Sequence, residues 1–224
     1  MSLFQKKENP SGNVESKFQN ALIAACVPAA FFAGLKTIDE MVNDPLFNIF
    51  IKKAVGEEFA KSINAPDEEK NAVFEAMLKR HADPAARHEL LPLLTNVIPR
   101  WKDYILPAVR KHMESNTMPP LCLALSMTAL IRCYMVDRKG QGFTQIADPY
   151  KLKESADLLV YFSRRLKGVQ NNRGVEEVKT ILSETKFWGM DLNTIQNFTA
   201  LVVENLTLIG GQGVRVAIEK IVLV

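Results

Sequence analysis

An all-α fold is predicted by three features of the sequence. Apolar residues recur at helical spacing in segment after segment, no segment sustains period-two alternation, and no βαβ unit can be traced. The 224 residues carry 47% hydrophobic and 24% charged side chains, which suits a folded chain able to bury a core without a disulfide or metal staple. Lys plus Arg number 28 against 25 acids, and a formal charge of +3 argues for neither nucleic acid nor an anionic membrane as partner. Cys26, Cys122 and Cys133 sit in apolar runs and are expected as packed, reduced thiols. Met1 to Asn13 lacks the apolar stretch of a secretory signal, and no window reaches the ~18 to 20 charge-free apolar residues of a membrane span. A cytoplasmic location is expected.

Positions 1–13 read as a flexible polar arm and 14–224 as one helical domain. Leu22, Ile23, Cys26, Val27, Phe31 and Phe32 predict a buried helix, interrupted or kinked near Pro28 and stopped at Gly34. Lys36 to Asn43 predicts a short helix closed by Asp44 and Pro45. A second begins there with Phe47, Phe50, Ile51 and Val55 at helical spacing, completing a helical hairpin. Pro66 and the acids Asp67, Glu68 and Glu69 open the next helix, where acids oppose the positive end of its dipole. Asp83 and Pro84 stop it. Leu90, Leu91, Leu94, Val97, Ile98 and Trp101 then recur at helical intervals through Pro92, Pro99 and Pro107, so this segment is expected to be kinked or split.

Leu121 to Val136 predicts a central helix covered on most sides, in which Arg132 needs a partner or a route to water. Residues 138–149 form the most loop-like interior stretch, where a domain boundary could fall. Helices follow over Tyr150 to Leu166 and Val175 to Ser183, then a turn at Trp188, Gly189 and Met190, and a last helical region from Leu192 to Ile221.

Several residues carry potential chemistry. Gly210, Gly211, Gln212 and Gly213 resemble a phosphate-cradling loop, but a dinucleotide fingerprint needs a following helix and a second strand, and 11 residues remain after Gly213. A helix-breaking turn is expected. His81 and His112 read as surface or capping histidines, since the histidine spacings match no metal-binding pattern. His88, in Arg87-His88-Glu89-Leu90-Leu91, fits either a structural role or a site. Glu15, Lys17 and Asn20 make a polar entrance to the first apolar helix. Arg100, Trp101, Lys102 and Asp103 place charge inside an apolar run, and the planar fork of an arginine suits a carboxylate or polyol as well as it suits a solvated face.

Taken in order, these stretches resemble the tagaturonate reductase (altronate oxidoreductase) branch of the long-chain mannitol dehydrogenase family. The resemblance rests on Asn20 followed by Val27-Pro28, Phe31-Phe32-Ala33-Gly34 and Thr37, and on Asp44-Pro45-Leu46. It continues through Asp83-Pro84, Arg87 to Leu91, Asn96, Arg100, Lys102, Leu106-Pro107 and Asp148-Pro149, and ends with Phe187 to Leu192 and Gly213-Val214-Arg215. It implies an all-α C-terminal substrate domain of the kind found in mannitol dehydrogenases and 6-phosphogluconate dehydrogenase-like enzymes. In the family such a domain forms a cleft with a Rossmann domain, and a hydride moves between a nicotinamide cofactor and a sugar acid or polyol.

The family's catalytic motif is a lysine, an asparagine five residues on and a histidine three further. Laid on this chain, the asparagine falls at Asn20, a catalytic remnant, while the other two positions fall at Glu15 and Ile23. Lys17 lies two residues late. The resemblance places Arg100 against the substrate, with Asn96 or His88 assisting. The chain alone is expected to bind no cofactor, and NAD only with a Rossmann partner. Two functional expectations follow: a diverged domain without dehydrogenase activity of its own, binding a sugar acid or a partner protein, or a subunit or fragment of an NAD-dependent hexuronate or polyol oxidoreductase that needs a Rossmann domain in trans. An exposed apolar patch and homo-oligomerisation are expected where the first domain would dock.

Overall fold

The helix α1, Val14–Phe32, is apolar on every face from Ala21 onward, and the burial of that stretch on all sides makes it the axis of the molecule. Every residue from Ala21 to Phe32 is buried. The computed structural model describes residues 14–170 and 174–223, so the arm expected over 1–13 lies outside the described residues. α1 is not interrupted at Pro28, as the sequence had predicted; it runs on to Phe32 and ends at Gly34, whose φ of 97° few other residues would adopt. The Pro28 carbonyl accepts from the Cys133 thiol at 3.1 Å.

α2, Ile38–Asn43, is capped by Thr37, and α3, Pro45–Ile51, by Asp44, whose Oδ1 accepts the N–H groups of Leu46 and Phe47 at 3.1 Å. α3 runs on as wide turns over Lys52–Phe59 and a tight turn over Ala60–Ser62, and α4 follows over Asp67–His81. The next segment is split, but not at its prolines. α5, Leu90–Leu93, and α6, Val97–Arg100, are separated at Asn96, which has a left-handed φ of 60°. Pro92 and Pro99 lie in first turns, where a proline sacrifices no bond. Pro107 follows the wide turn Trp101–Ile105 and sits near the start of α7, Leu106–Met113.

α8, Leu121–Cys133, crosses α1 and is buried from Cys122 to Ile131. Its hydroxyls are satisfied internally: Ser126 donates to the Leu123 carbonyl at 2.6 Å and accepts from Trp101 Nε1 at 2.9 Å. The stretch read as a loop holds an antiparallel hairpin, β1 (Gln141–Phe143) and β2 (Pro149–Lys151), the one sheet among the described residues. Three-residue strands are too short to show an alternation. Because Tyr150 belongs to β2, the next helix, α9, begins later than predicted and covers Ala156–Gln170. α10 (Gly174–Leu182), α11 (Thr185–Trp188), α12 (Phe198–Gln212) and α13 (Val214–Val222) complete the chain.

A single hydrophobic cluster joins residues from α1 to α13, with Trp101 edge-on to Trp188 at 5.9 Å between ring centroids. Distant sequence landmarks meet around it. Arg215 donates to both carboxylate oxygens of Asp44, at 3.3 and 2.6 Å, and lies over the Phe47 ring. Lys36 pairs with Asp148, and Ile38 N donates to the His88 carbonyl at 2.9 Å. Among the described residues no helix is long and apolar enough to cross a membrane.

Candidate functional site

Before α1 enters the core, its first two turns carry polar side chains that are only half-buried, Glu15, Ser16, Lys17, Gln19 and Asn20. Asn20 is held from both sides of its amide: Nδ2 donates to the Ser16 carbonyl at 2.8 Å, and Oδ1 accepts from Arg100 Nε at 2.9 Å. That bond joins residues 80 positions apart in the chain. Arg100 closes α6 and is half-buried, with Asn20 the one hydrogen-bond acceptor of its side chain among the described residues. Burial lowers its pKa from the ordinary value while Tyr104 acts in the opposite sense, and a guanidinium so placed stays charged. The rest of its donor fork is available to an anion or hydroxyls.

The residues flanking Asn20 are committed to structure. Glu15 accepts from Arg80 Nη2 at 2.5 Å and from Gln19 Nε2 at 3.2 Å. Ile23 is 2% exposed and packed in the core. His81, in the last turn of α4, has its pKa pushed down to about 4, mainly by burial, with the charges of Arg80 and His88 adding to the effect. Lys102 reaches Asp103 at 3.6 Å and lies over Gly189.

Of the three expected substrate-binding residues, Arg100 meets Asn20, and Asn96, one turn earlier, accepts the Arg100 backbone N–H at 3.4 Å. His88 acts electrostatically on His81 and lends its carbonyl to Ile38. Asn96 donates its backbone N–H to Glu154 Oε1 at 3.0 Å, an oxygen that also accepts from the Tyr134 hydroxyl at 2.6 Å. It borders a shallow depression of about 600 Å³ with Lys139, Lys151 and Lys153. Cys26, Cys122 and Cys133 are buried, and desolvation holds their thiols well above the ordinary range, which suits packing rather than nucleophilic attack. No group of three or more His, Cys, Asp or Glu side chains among the described residues gathers to hold a metal.

The glycine run does not fit a dinucleotide. Gly210 and Gly211 lie inside α12, and Gly213 alone breaks the chain, with Gln145 Oε1 accepting the N–H of Val214 at 2.9 Å. The antiparallel hairpin supplies no parallel strand for a phosphate-binding crossover.

A further concavity borders neither Asn20 nor Asn96. About 870 Å³ opens between the end of α8, the hairpin, α9 and α12, bordered by Arg132, Arg138, Lys139 and Arg164. Sequence reasoning missed it, although Arg132 was the signal: the cleft is the route to water that this residue required.

The sequence pattern described as the mannitol dehydrogenase C-terminal domain matches residues 18–209. An altronate oxidoreductase of Pectobacterium atrosepticum is 32% identical over 202 residues, which is 89% of this chain and 41% of that protein. The mannitol 2-dehydrogenase of Pseudomonas fluorescens, solved as a ternary complex with NAD and D-mannitol, superposes with a TM-score of 0.77 at 14% identity, over 93% of this chain and 40% of that one. A substrate-free D-sorbitol dehydrogenase superposes with a TM-score of 0.67 at 15% identity, over 92% and 40% of the two chains. This chain thus spans about two fifths of the length of the proteins it matches.

Proposed function

From the premise that the chain belongs to the mannitol dehydrogenase C-terminal domain family, we propose that it is a diverged domain that transfers no hydride by itself and retains a sugar-acid contact at Arg100. One observation carries the reading: Ile23, at the position where the resemblance calls for a histidine, is 2% exposed inside the core. A hydrocarbon there can neither donate to a reacting oxygen nor relay a proton. Glu15, at the lysine position, is neutralised by Arg80 and carries the wrong sign to stabilise a developing alkoxide. What persists is the Asn20–Arg100 pair, an amide that orients a guanidinium whose remaining donors suit the carboxylate of an acid such as altronate, named in the relatives.

Calorimetric titration with altronate and tagaturonate tests the reading. Wild type should bind at least one of them and Arg100→Ala should bind about tenfold more weakly; indistinguishable isotherms would remove the residual site. NADH oxidation by the isolated chain with tagaturonate would overturn the loss of hydride transfer.

A second reading is favoured by the length comparison, since the relatives carry more than half of their chains outside the matched region. In that reading this domain works as one part of an NAD-dependent oxidoreductase whose Rossmann domain is supplied in trans. Turnover on mixing with such a domain is its test.

A further inference from the structure

Four cations from separate parts of the chain border the large cleft: Arg132 in the last turn of α8, Arg138 and Lys139 ahead of β1, and Arg164 in α9. None of the four forms an ion pair among the described residues. The one acid on the cleft wall, Asp137, accepts the N–H groups of Lys139 at 2.7 Å and Gln141 at 2.9 Å at its Oδ1, and its charge acts on Lys139 and Lys151 without a direct ion pair, leaving the three arginines unmatched. Arg132 is half-buried, its guanidinium 4.8 Å from the centroid of the Phe32 ring and one Nη 3.0 Å from Met135 Sδ. A ring face and a thioether orient the planar fork without neutralising it. Two other half-buried arginines are matched, Arg215 by Asp44 and Arg165 by Glu177.

Clustered like charges repel, and a partly desolvated guanidinium without a counter-charge is costly, so the arrangement is one that an anion would stabilise. The space is also of the right kind. About 870 Å³ falls within the ~300 to 1,000 Å³ of small-molecule sites. Met135, Leu206 and Phe143, the last 65% exposed, give it apolar walls. We propose that this cleft binds a small organic anion, a molecule bearing a carboxylate or phosphate group, gripped by Arg132, Arg138, Lys139 and Arg164. The site is independent of Arg100. Phe32, beside Arg132, lies twelve residues beyond Asn20 on α1, about 18 Å along the helix axis, too far for one small ligand to bridge by direct hydrogen bonds.

The test is calorimetric titration of the full chain with inorganic phosphate, with citrate and with a glutamate-rich peptide. At least one of the two small anions should bind, and which one does so separates a phosphate ligand from a carboxylate ligand. Arg138 and Arg164 are exposed, so the double variant R138A/R164A should keep its fold and lose about tenfold or more in affinity, while Arg100→Ala binds as wild type does. In the isotopically labelled wild-type chain, the amide resonances of Gly142 and Gly210 on the cleft wall should shift with the same anion, a readout that needs no variant. Absence of binding by both small anions, binding unchanged in the double variant, loss of binding in Arg100→Ala, or binding of the peptide alone would each overturn the proposal.

Discussion

At its N-terminal end α1 presents Glu15 to Arg80 and Asn20 to Arg100, and directs Ile23 into the core. Near its C-terminal end, beside Phe32, the surrounding elements bring together Arg132, Arg138, Lys139 and Arg164 with Asp137 already engaged by backbone N–H groups. The first end holds a buried Ile23 and a Glu15–Arg80 ion pair, with one guanidinium, Arg100, not matched by a carboxylate. The second has assembled positive charge that packing does not require. The two ends of one helix thus sit in unlike electrostatic surroundings, because they draw their neighbours from different parts of the chain.

Returning a histidine to the first end is the most severe way to break this comparison. Ile23→His would bury an imidazole without a partner and should cost about 2–4 kcal/mol in a denaturant unfolding experiment. A variant as stable as wild type would show that position 23 is not committed to the core. At the second end, Gly213 combines a φ of 97° with ψ of 163°, and a Cβ there would come within 1.9 Å of Gln145 Nε2. Gly213→Ala should therefore cost about 2 kcal/mol and displace the Gln145 side chain from Val214, which a crystal structure of the variant would reveal.

The effect confined to one pH window is expected from His81. Its pKa is pushed from the ordinary 6.5 to about 4, so the unfolded chain takes up the proton first as pH falls. The associated stability is fully present above 6.5 and is lost progressively as pH drops toward 4. His81→Leu should flatten the change of unfolding midpoint over that window relative to wild type, and parallel slopes would contradict the burial of the imidazole.

α1 and α8 were legible because their apolar runs are long and their burial is nearly complete, so pattern and environment agree. Pro28 does not interrupt α1, because packing on all sides holds the helix through it against the proline's local propensity. The segment between 92 and 107 is split as expected, but the break falls at Asn96, whose left-handed conformation an asparagine tolerates better than most residues, rather than at a proline. In the candidate site, Asn20 and Arg100 could each be singled out, but their contact spans 80 positions and belongs to the tertiary structure. The cleft was hidden for the same reason. Arg132 stood out by itself, while Arg164 looked like an ordinary solvated residue of an amphipathic helix.

The sulfur atoms carry one more consequence. Cys26, Cys122 and Cys133 are all buried, and desolvation keeps each in its protonated form. Cys133 also uses its hydrogen toward Pro28, in the middle of α1. Alkylating reagents and oxidants attack the thiolate at an accessible sulfur, so modification of these residues must await opening of the α1–α8 crossing. The folded chain therefore carries an internal reporter of its own breathing, one that stays silent to changes at either surface site unless the central pair of helices separates.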